Sequence, residues 1–400
     1  MTGILVFFHC GSNAGYAIQR HEFTFSQMAY KLTADWNNVH FAYPSLEKGR
    51  SLTIPDQLTN IVKIDPLSDD KNHIDYVKEY INRNNIQIAF GFDQPVNSTF
   101  YSHLRSAGVK YIYSYWGAPM SSVNSGIKLL FKRIGVRMCR NRPDAFIFQS
   151  QGMKLTATHG RGIPERQCHV VNSGIDTEKF KPDLTQTWYA HDTLNIPRER
   201  KIVYYSGHME HRKGVHVIVK SAAHLINTLN RTDLHFIFFG NKQGQESAFH
   251  PLYKGTKAEA HITFGGYRHD LFKIIPCCHV GCLATTGWDS FPISTLEITS
   301  SGVPLIVSDL LGVRETVIPN ETGFRITAGD FVMLAERIIQ ICDDDVLRMK
   351  LGQGARKRVT SFFKREMQIE NLTKLIVKES RSIFMGVERG IRSGASVCAP

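Results

Sequence analysis

The chain has 400 residues, of which 42% are hydrophobic and 21% are charged, and its formal net charge is +12. This length predicts two domains with separate cores, and the composition is that of a globular protein, which excludes disordered and fibrous classes. No stretch approaches the ~18 uninterrupted apolar residues of a membrane-spanning helix. The opening MTGILVFFHC lacks a basic region and a cleavage site, so we expect a cytoplasmic protein.

The positive charge calls for an anionic partner, which is nucleic acid, anionic lipid or a phosphate-bearing substrate. No nucleic-acid-binding motif accompanies the charge, so we expect no nucleic acid partner. The 8 cysteines are scattered, and the sequence has neither a CxxC pair nor an HExxH motif. We therefore expect buried free thiols and no metal site.

Apolar runs alternate with amphipathic runs through the first half of the chain, which is typical of parallel α/β domains. Strands are predicted at Ile4–Cys10, His40–Pro44, Ile61–Pro66, Ile86–Phe92, Lys110–Trp116, Ala145–Ser150 and His169–Asn172. The glycine-containing loop Gly11–Gly15 follows the first strand and precedes a predicted helix over Tyr16–Ala34. Glycine there lets a ligand approach the backbone closely, although many strand-to-helix turns contain it.

The second half repeats this pattern after a polar linker over Asp183–Glu199. Strands are predicted at Ile202–Ser206, Leu234–Phe239, Ile262–Phe264, Val280–Ala284, Leu305–Ser308 and Phe324–Ile326. Helices are predicted at Gly214–Asn227, Phe331–Cys342 and Val346–Phe384. We expect the last helix to break near Gly352–Gly354 and Ser361. The sequence thus predicts two Rossmann-like, doubly wound parallel-sheet domains that face a central cleft.

The segment Gly287–Glu315 shows the strongest signal of a binding site. Asp289 opens it, Ser290 is a candidate helix cap, and Pro292 is predicted just inside a helix that runs to Ser301. The first turn of a helix attracts phosphate because its N–H groups are unpaired and carry partial positive charge. The candidate amide donors are those of Phe291, Ile293 and Ser294.

Two acids, Asp289 and Glu297, flank that turn. Carboxylates repel phosphate, so these two are better suited to accept hydrogen bonds from neutral hydroxyl groups. A ligand with a phosphate core and a hydroxyl-rich group at each end fits, which describes a nucleotide sugar. Each acid also has a structural explanation: Asp289 as a helix-entry cap and Glu297 as a helix residue facing water.

The sequence DSFPISTLEITSSGVP resembles the E-x7-E signature of the retaining glycosyltransferases of family 4, which are group 1 glycosyltransferases with the GT-B fold. The usual family pattern resembles E-G-F-G-L-x-x-x-E-A-x-x-x-G-x-P. Asp289 takes the place of the first Glu, Glu297 matches the second, and Pro292 replaces the second glycine. The resemblance implies that Glu297 holds the ribose and that Asp289, beside Ser290, orients the donor sugar.

The loop Gly207–Gly214, GHMEHRKG, resembles the family's G-R-L-x-x-x-K-G. The resemblance implies that Lys213 neutralises the donor diphosphate, since a cation there stabilises the charge that builds on the leaving group. His208 stands where the family has arginine, and Arg212 is a candidate substitute. The structural alternative is a solvated basic turn before a helix.

Other candidate positions follow from the same resemblance. Tyr267 and Arg268 stand where the family binds the nucleotide base, and a plain turn is an equally good explanation of them. Gly11 and Gly15 stand in the loop that faces the donor across the cleft. Trp116 takes the place of a family histidine near the donor sugar; tryptophan can stack on a sugar but cannot accept a proton.

The resemblance also implies the domain organisation. The segment Val170–Pro182 resembles the family's N-G-[VI]-D-x-x-x-F-x-P, with Ser173 inserted, and closes the first domain. We expect an acceptor-side domain over 1–185 and a nucleotide-sugar-binding domain over 200–360. A helix over 361–384 is expected to cross back onto the first domain, and a frayed tail to occupy 385–400.

The segment 126–142 is basic and amphipathic. Its cations are Lys128, Lys132, Arg133, Arg137, Arg140 and Arg142, and its apolar residues are Leu129, Leu130, Phe131, Ile134, Val136 and Met138. Such a helix is able to lie on an anionic membrane. The alternative is an ordinary surface helix whose apolar face packs on the sheet while its charges are solvated. A lipid-linked acceptor would favour the membrane and a peripheral location on its cytoplasmic face.

We therefore predict a retaining, metal-independent glycosyltransferase without a cofactor. Its donor is a UDP- or GDP-linked sugar, and its acceptor is a glycan or lipid-linked molecule in polysaccharide or glycoconjugate synthesis. The predicted catalytic residues are Asp289, Glu297 and Lys213. The alternatives are a catalytically silent binder of nucleotide sugars or glycans, and a GT-B epimerase or hydrolase acting on the same donor.

Overall fold

The computed structural model describes residues 2–183, 185 and 187–384; the predicted tail over 385–400 lies outside them. The chain divides into two compact units. Of the described residues, the first unit contains those up to Gln149, Lys154–Val171 and those that follow Arg365, and the second contains Ser150–Met153 and those from Asn172 to Arg365. The change of unit thus falls at residue 172, earlier than the expected 185, because Ile175 already belongs to the core of the second unit.

The first unit is built on a parallel sheet. Its strands are β1 (Gly3–Phe8), β2 (Val39–Tyr43), β3 (Ile61–Lys63), β4 (Ile86–Phe92), β5 (Tyr111–Trp116), β6 (Ala145–Phe148) and β7 (Cys168–Val170). Each overlaps a predicted strand. Their spatial order is β3-β2-β1-β4-β5-β6-β7, so the direction of winding reverses between β1 and β4. In open parallel sheets, ligands bind at the carboxyl ends of the strands beside such a switch point.

The second unit has the same design. Its strands are β8 (Lys201–Ser206), β9 (Leu234–Phe239), β10 (Ile262–Phe264), β11 (Val280–Leu283), β12 (Leu305–Ser308) and β13 (Gly323–Ile326). Each again overlaps a predicted strand. The order β10-β9-β8-β11-β12-β13 places the switch point between β8 and β11. The predicted class of two doubly wound parallel-sheet domains is confirmed.

Helices connect the strands and cover the sheets. Their bounds are α1 (Tyr16–Thr33), α2 (Lys71–Arg83), α3 (Thr99–Ser106), α4 (Gly126–Met138), α5 (Gln151–Leu155), α6 (Tyr189–Leu194), α7 (Val215–Ala223), α8 (Leu271–Ile274), α9 (Ile293–Ser300), α10 (Phe331–Asp343), α11 (Asp345–Phe362) and α12 (Arg365–Glu379). None of the helices within the described ranges is long and apolar enough to cross a membrane.

The predicted linker contains a helix that packs into the second unit. Ala190 and His191 of α6 are buried, and the His191 ring Nε2 lies 2.9 Å from the carbonyl oxygen of Arg200. The part of the predicted linker over Tyr189–Leu194 is therefore a packed helix. At the other end of the chain, Ile369, Leu372 and Ile376 of α12 belong to the core of the first unit.

The predicted break at Gly352–Gly354 is wrong, because α11 continues through both glycines. A Cβ atom on Gly352 would lie 2.1 Å from the carbonyl oxygen of Gly302, and one on Gly354 would lie 2.2 Å from that of Glu321. The two glycines thus allow the helix to pack directly against backbone. The helix ends at Phe362 and α12 begins at Arg365, so the predicted break near Ser361 is confirmed.

Candidate active site

The predicted donor-binding residues of the second unit lie at one edge of its sheet. The loop Gly207–Gly214 follows β8, and the loop that carries Asp289 follows β11. Because β8 and β11 are parallel neighbours, the two loops emerge side by side at the switch point. Tyr267 and Arg268 follow β10 on the same edge.

Lys213 and Asp289 join the two central loops. The Lys213 Nζ atom lies 2.6 Å from Asp289 Oδ2, and the two side chains are only 16% and 5% exposed. The other carboxylate oxygen, Oδ1, accepts a hydrogen bond of 3.0 Å from the Ser290 N–H. The predicted diphosphate-binding cation and the predicted sugar-orienting acid therefore form one nearly buried ion pair.

Gly214 holds this lysine in place. It ends the short 3-10 turn His211–Lys213 in a left-handed conformation with a φ of 72°. A Cβ atom at this position would lie 1.7 Å from the carbonyl oxygen of Ala284, at the end of β11. Only glycine combines this φ with this close approach, which explains why the sequence places Lys-Gly at the end of the loop.

Arg212 forms a second contact between the same two loops. Its guanidinium carbon lies 3.9 Å from the centre of the Trp288 ring, and Nη1 donates a 3.0 Å hydrogen bond to the Trp288 carbonyl oxygen. Its Nε also forms a 2.7 Å ion pair with Glu210. The Arg212 guanidinium thus contacts groups of both loops, and its role toward a diphosphate stays a prediction.

His208 is exposed at the start of the loop after β8. Its Nδ1 lies 3.5 Å from Glu210 Oε1. The carbonyl oxygen of His208 accepts a 2.9 Å hydrogen bond from the hydroxyl of Tyr205, whose pKa is raised mainly by burial. The buried tyrosine therefore anchors the backbone at the family's arginine position, while the imidazole itself faces solvent.

The start of α9 differs from the prediction. Pro292 is the N-cap residue and lies outside the helix, with a φ of −62° and a ψ of 130°, and no side chain caps this end. Ser290 is therefore not the cap. Phe291 precedes the N-cap and is buried against Phe363, with ring centroids 5.2 Å apart. Its amide is not a first-turn donor, which leaves those of Ile293 and the next residue.

Glu297 lies in the middle of α9 and is buried, with 4% of its surface exposed. The interpretation of Glu297 as an acid facing water is therefore wrong. Its backbone carbonyl accepts hydrogen bonds from the N–H and the hydroxyl of Ser301 at the end of the helix. An acid is rarely buried unless it is paired or serves a site, so burial agrees with a binding role.

The two candidate base-binding residues differ in their surroundings. Tyr267 is 63% exposed. The Nε atom of Arg268 donates a 2.7 Å hydrogen bond to Asp270, which also accepts one of 2.8 Å from the hydroxyl of Tyr189. The hydrogen bond from Arg268 has the larger effect and the one from Tyr189 the smaller, and together they lower the pKa of Asp270 to about 2. Arg268 is thus held by protein, and Tyr267 is the freer of the two.

The remaining predicted residues belong to the first unit. Trp116 ends β5, and its indole Nε1 donates a 2.9 Å hydrogen bond to the Ser114 hydroxyl. Gly15 has a φ of 105°, and a Cβ added there would have nothing within 4 Å, whereas a Cβ on Gly11 would lie 3.3 Å from the Ser45 carbonyl oxygen. Trp116 and the loop that contains both glycines lie at the carboxyl ends of β5 and β1.

Two acids that were not assigned to the site have clear structural partners. Asp93 follows β4 with a φ of 49°, and its Oδ1 accepts a 2.7 Å hydrogen bond from the Gly117 N–H. Burial raises its pKa. Glu315 accepts hydrogen bonds of 3.0 and 2.7 Å from the N–H groups of Gln151 and Gly152. It therefore caps the start of α5, a contact that sequence spacing could not reveal.

Within the described part of the chain, no group of three or more His, Cys, Asp and Glu residues is arranged to hold a metal ion. The seven cysteines in that part are all free, and five of them are buried. Burial raises the pKa of the Cys278 thiol well above its ordinary value, as expected for a thiol that serves packing.

Part of the chain matches a known protein family. Residues 187–358 match the sequence model of the glycosyl transferases group 1 family. Two curated relatives are UDP-Gal:alpha-D-GlcNAc-diphosphoundecaprenol alpha-1,3-galactosyltransferase of Escherichia coli and the capsular polysaccharide biosynthesis glycosyltransferase CapM of Staphylococcus aureus. The first is 22% identical over 216 residues, which are 54% of this chain and 55% of the relative. The second is 25% identical over 215 residues, which are 52% and 54%. The chain spans about half the length of these relatives.

The fold also matches solved structures. The crystal structure of Anabaena HepE in complex with UDP superposes with a TM-score of 0.75 and 16% identity, and the match covers 95% of this chain and 100% of that one. At this identity the likeness shows the fold, which is GT-B, and nothing more. The matched family region, 187–358, contains every predicted donor-binding residue of the second unit.

Proposed function

We propose that this chain, whose residues 187–358 match the group 1 glycosyltransferases, is a retaining glycosyltransferase. It transfers a sugar from a UDP- or GDP-linked donor to a glycan or lipid-linked acceptor in polysaccharide or glycoconjugate synthesis. The observation that carries the proposal is the nearly buried pair of Lys213 and Asp289 at the switch point. The E. coli relative is a galactosyltransferase named for UDP-Gal, and the Anabaena structure is a complex with UDP; both favour a UDP-linked donor.

In this proposal each part of the donor has its own group at the edge of the sheet. The Lys213 ammonium and the first-turn amides of α9, from Ile293 and Ser294, hold the diphosphate and stabilise the charge that builds on it. Since these groups are part of the protein, they supply positive charge without a metal ion. Glu297 accepts hydrogen bonds from the ribose. Tyr267 lies at the same edge of the sheet, where its ring provides a surface on which the base can stack.

Asp289 orients the donor sugar in this proposal and does not form a covalent intermediate. Its Oδ2 is paired with Lys213 at 2.6 Å and its Oδ1 accepts the Ser290 N–H, so both oxygens are already engaged. The acceptor hydroxyl oxygen attacks the anomeric carbon on the face from which the diphosphate leaves. The anomeric C–O bond breaks, its electron pair passes to the diphosphate, and a diphosphate oxygen takes the acceptor proton. The product then retains the anomeric configuration of the donor.

The proposal also includes the cellular compartment and the type of acceptor. The buried free thiols suit a reducing compartment, so we place the protein in the cytoplasm. The lipid diphosphate in the name of the E. coli relative supports a lipid-linked acceptor. Such an acceptor would bring the enzyme to the cytoplasmic face of a membrane.

The test is product formation with a panel of UDP- and GDP-sugars and with glycan and polyprenyl-diphosphate-sugar acceptors. We expect release of nucleoside diphosphate only when donor and acceptor are both present, and a product whose anomeric configuration, measured by NMR, equals that of the donor. Release without an acceptor would indicate a hydrolase or an epimerase acting through elimination. Donor binding without release under any condition would indicate a silent binder. An inverted product would contradict the retaining mechanism.

A further inference from the structure

Helix α4 of the first unit exposes an unusual amount of apolar surface. Ile127, Phe131 and Met138 are 70%, 68% and 76% exposed, and Leu130 and Ile134 are also exposed. Single exposed apolar residues are ordinary on protein surfaces, but a contiguous apolar patch marks a site of interaction. We call these five residues the outer stripe of α4.

The positions of these residues follow the helix geometry. At about 100° per residue, the outer stripe covers an arc of roughly 100° on one side of α4. Leu129 and Val136, the buried residues of this helix, are seven positions apart and lie on the opposite side. The helix therefore has two apolar faces, of which the narrow one packs on the unit and the wide one faces solvent. The expected surface helix with one apolar face packed inward accounts for the narrow face alone, because the wide face is exposed.

The helix is firmly seated, so the outer stripe is not exposed by local unfolding. Lys132 Nζ donates hydrogen bonds of 2.8 Å to the Ser121 hydroxyl and 2.7 Å to the Gly160 carbonyl oxygen. A Cβ atom on Gly162 would lie 2.7 Å from the backbone nitrogen of Arg133. Backbone therefore packs directly against the inner face of α4, and the outer stripe is presented on a fixed support.

Cations border the outer stripe on both sides. Lys128 lies at one margin of the stripe, and Arg133 and Arg137 lie at the other; all three are exposed. Between Gly117 and Pro143 the sequence contains six Lys and Arg residues and no Asp or Glu. An apolar stripe flanked by cations, with no acid in the segment, is complementary to a surface that is apolar inside and anionic at its rim.

From this geometry we infer that α4 is a membrane-docking helix whose outer stripe enters the headgroup region of an anionic lipid bilayer. Lys128, Arg133 and Arg137 then lie level with the lipid phosphates, where each cation strengthens binding. The inference rests on the proposed function, since a lipid-linked acceptor would be met at that surface. A protein partner or a second copy of the chain fits less well, because both would need an acidic rim around an apolar centre.

The test is co-sedimentation of the full chain with vesicles of phosphatidylcholine, with and without phosphatidylglycerol. We expect binding to the vesicles that contain phosphatidylglycerol, and weaker binding as NaCl is raised. The double variant Ile127→Ser/Phe131→Ser should lower the partition coefficient roughly tenfold or more. The charge variant Arg133→Gln/Arg137→Gln should lower it roughly fivefold for each cation removed.

Matched controls separate the outer stripe from general hydrophobicity. Leu52 and Leu67 are exposed leucines of the same unit, outside α4, and Leu52→Ser/Leu67→Ser should bind vesicles as the wild type does. Thermal unfolding should show that every variant is folded, since none of the replaced side chains is buried. Light scattering after size-exclusion chromatography should show a monomer at the same concentration.

Three results would overturn the inference. They are the absence of vesicle binding by the wild-type chain, equal binding by the wild type and Ile127→Ser/Phe131→Ser, and a dimer that this double variant dissociates. The nucleotide-induced stabilisation measured without vesicles distinguishes a failure here from a failure of the proposed function. The α4 variants should retain that stabilisation, because α4 contributes no donor-binding residue.

Discussion

Lys213 and Asp289 are 76 positions apart in sequence, yet the ammonium nitrogen of the first lies 2.6 Å from a carboxylate oxygen of the second. The contact joins the loops after β8 and β11, the strands on either side of the switch point. Its position gives the lysine two tasks in our proposal, which are to neutralise the donor diphosphate and to hold the acid that orients the sugar. Both tasks depend on the positive charge of Lys213.

Removal of that charge should reduce turnover and stability together. We expect Lys213→Ala to lower kcat by roughly 10²–10³-fold, the usual effect of losing one group that stabilises the leaving charge. Because Asp289 would then be buried without its cation, the free energy of unfolding should also fall, by about 3–5 kcal/mol. Lys213→Arg should keep part of both. Measurements are steady-state kinetics and urea unfolding.

The control for this prediction is Lys220→Ala, which removes an exposed lysine of α7 in the same unit. It should leave kcat within experimental error. Wild-type turnover in folded Lys213→Ala would contradict the assignment of Lys213 to the diphosphate.

Gly214 should be irreplaceable for steric reasons. In Gly214→Ala the added Cβ would meet the Ala284 carbonyl oxygen at 1.7 Å at a φ of 72°. Strained backbone and overpacking each cost about 1–3 kcal/mol. We therefore expect the free energy of unfolding to fall by the sum of the two costs, and donor binding to be lost. Gly255 has the same φ of 72° and nothing within 4 Å of its Cβ position, so Gly255→Ala is the matched control. The free energy of unfolding of Gly255→Ala should fall only by the cost of placing a non-glycine residue in the left-handed conformation, about 1–2 kcal/mol. Equal destabilisation in urea unfolding would contradict the steric argument.

The second unit should become less stable in mild acid because His235 is buried as a neutral ring. Burial, then the nearby Arg200, lowers the pKa of His235 to about 3 from its ordinary 6.5. Between pH 6.5 and pH 3 the His235 ring is therefore protonated in the unfolded chain and neutral in the folded chain. The free energy of unfolding falls as the pH drops through this range. At pH 5 this one ring should cost about 2 kcal/mol relative to pH 7.

The measurement is the free energy of unfolding from pH 7 to pH 5 for the wild type and His235→Gln. The glutamine side chain can still donate to Thr263, whose hydroxyl lies 2.9 Å from His235 Nε2. It cannot titrate, so the dependence on pH should become shallower by up to one proton. An unchanged slope in His235→Gln would show that His235 does not carry the effect.

The strands of both sheets could be predicted from sequence, because buried parallel strands are short apolar runs such as Leu305–Ser308. The donor-side residues could also be placed on one edge, because the family resemblance fixes their loops. The start of α9 could not, since a proline can occupy either the N-cap or the first helical position and only the backbone angles distinguish them. Gly352 could not be interpreted correctly either, because its tight contact with Gly302 is distant in sequence.

The contacts between distant side chains could not be predicted from the sequence either. Arg212 and Trp288 are 76 residues apart, and nothing in their spacing indicates that the guanidinium stacks on the indole ring. The outer stripe of α4 was visible only as an amphipathic pattern. Which apolar face packs inward and which faces solvent is decided by the neighbours of the helix, among them the backbone around Gly162.

The most direct test of the donor site is thermal unfolding with UDP, GDP and ADP, for the wild type and Glu297→Gln. Ligand at a hundred times its dissociation constant stabilises the native state by ~2.7 kcal/mol, which should raise the midpoint by at least ~2 °C. We predict such a shift with one nucleotide in the wild type and in the exposed control Glu336→Gln, and its loss in Glu297→Gln. No shift with any nucleotide, or an equal shift in Glu297→Gln, would contradict the account.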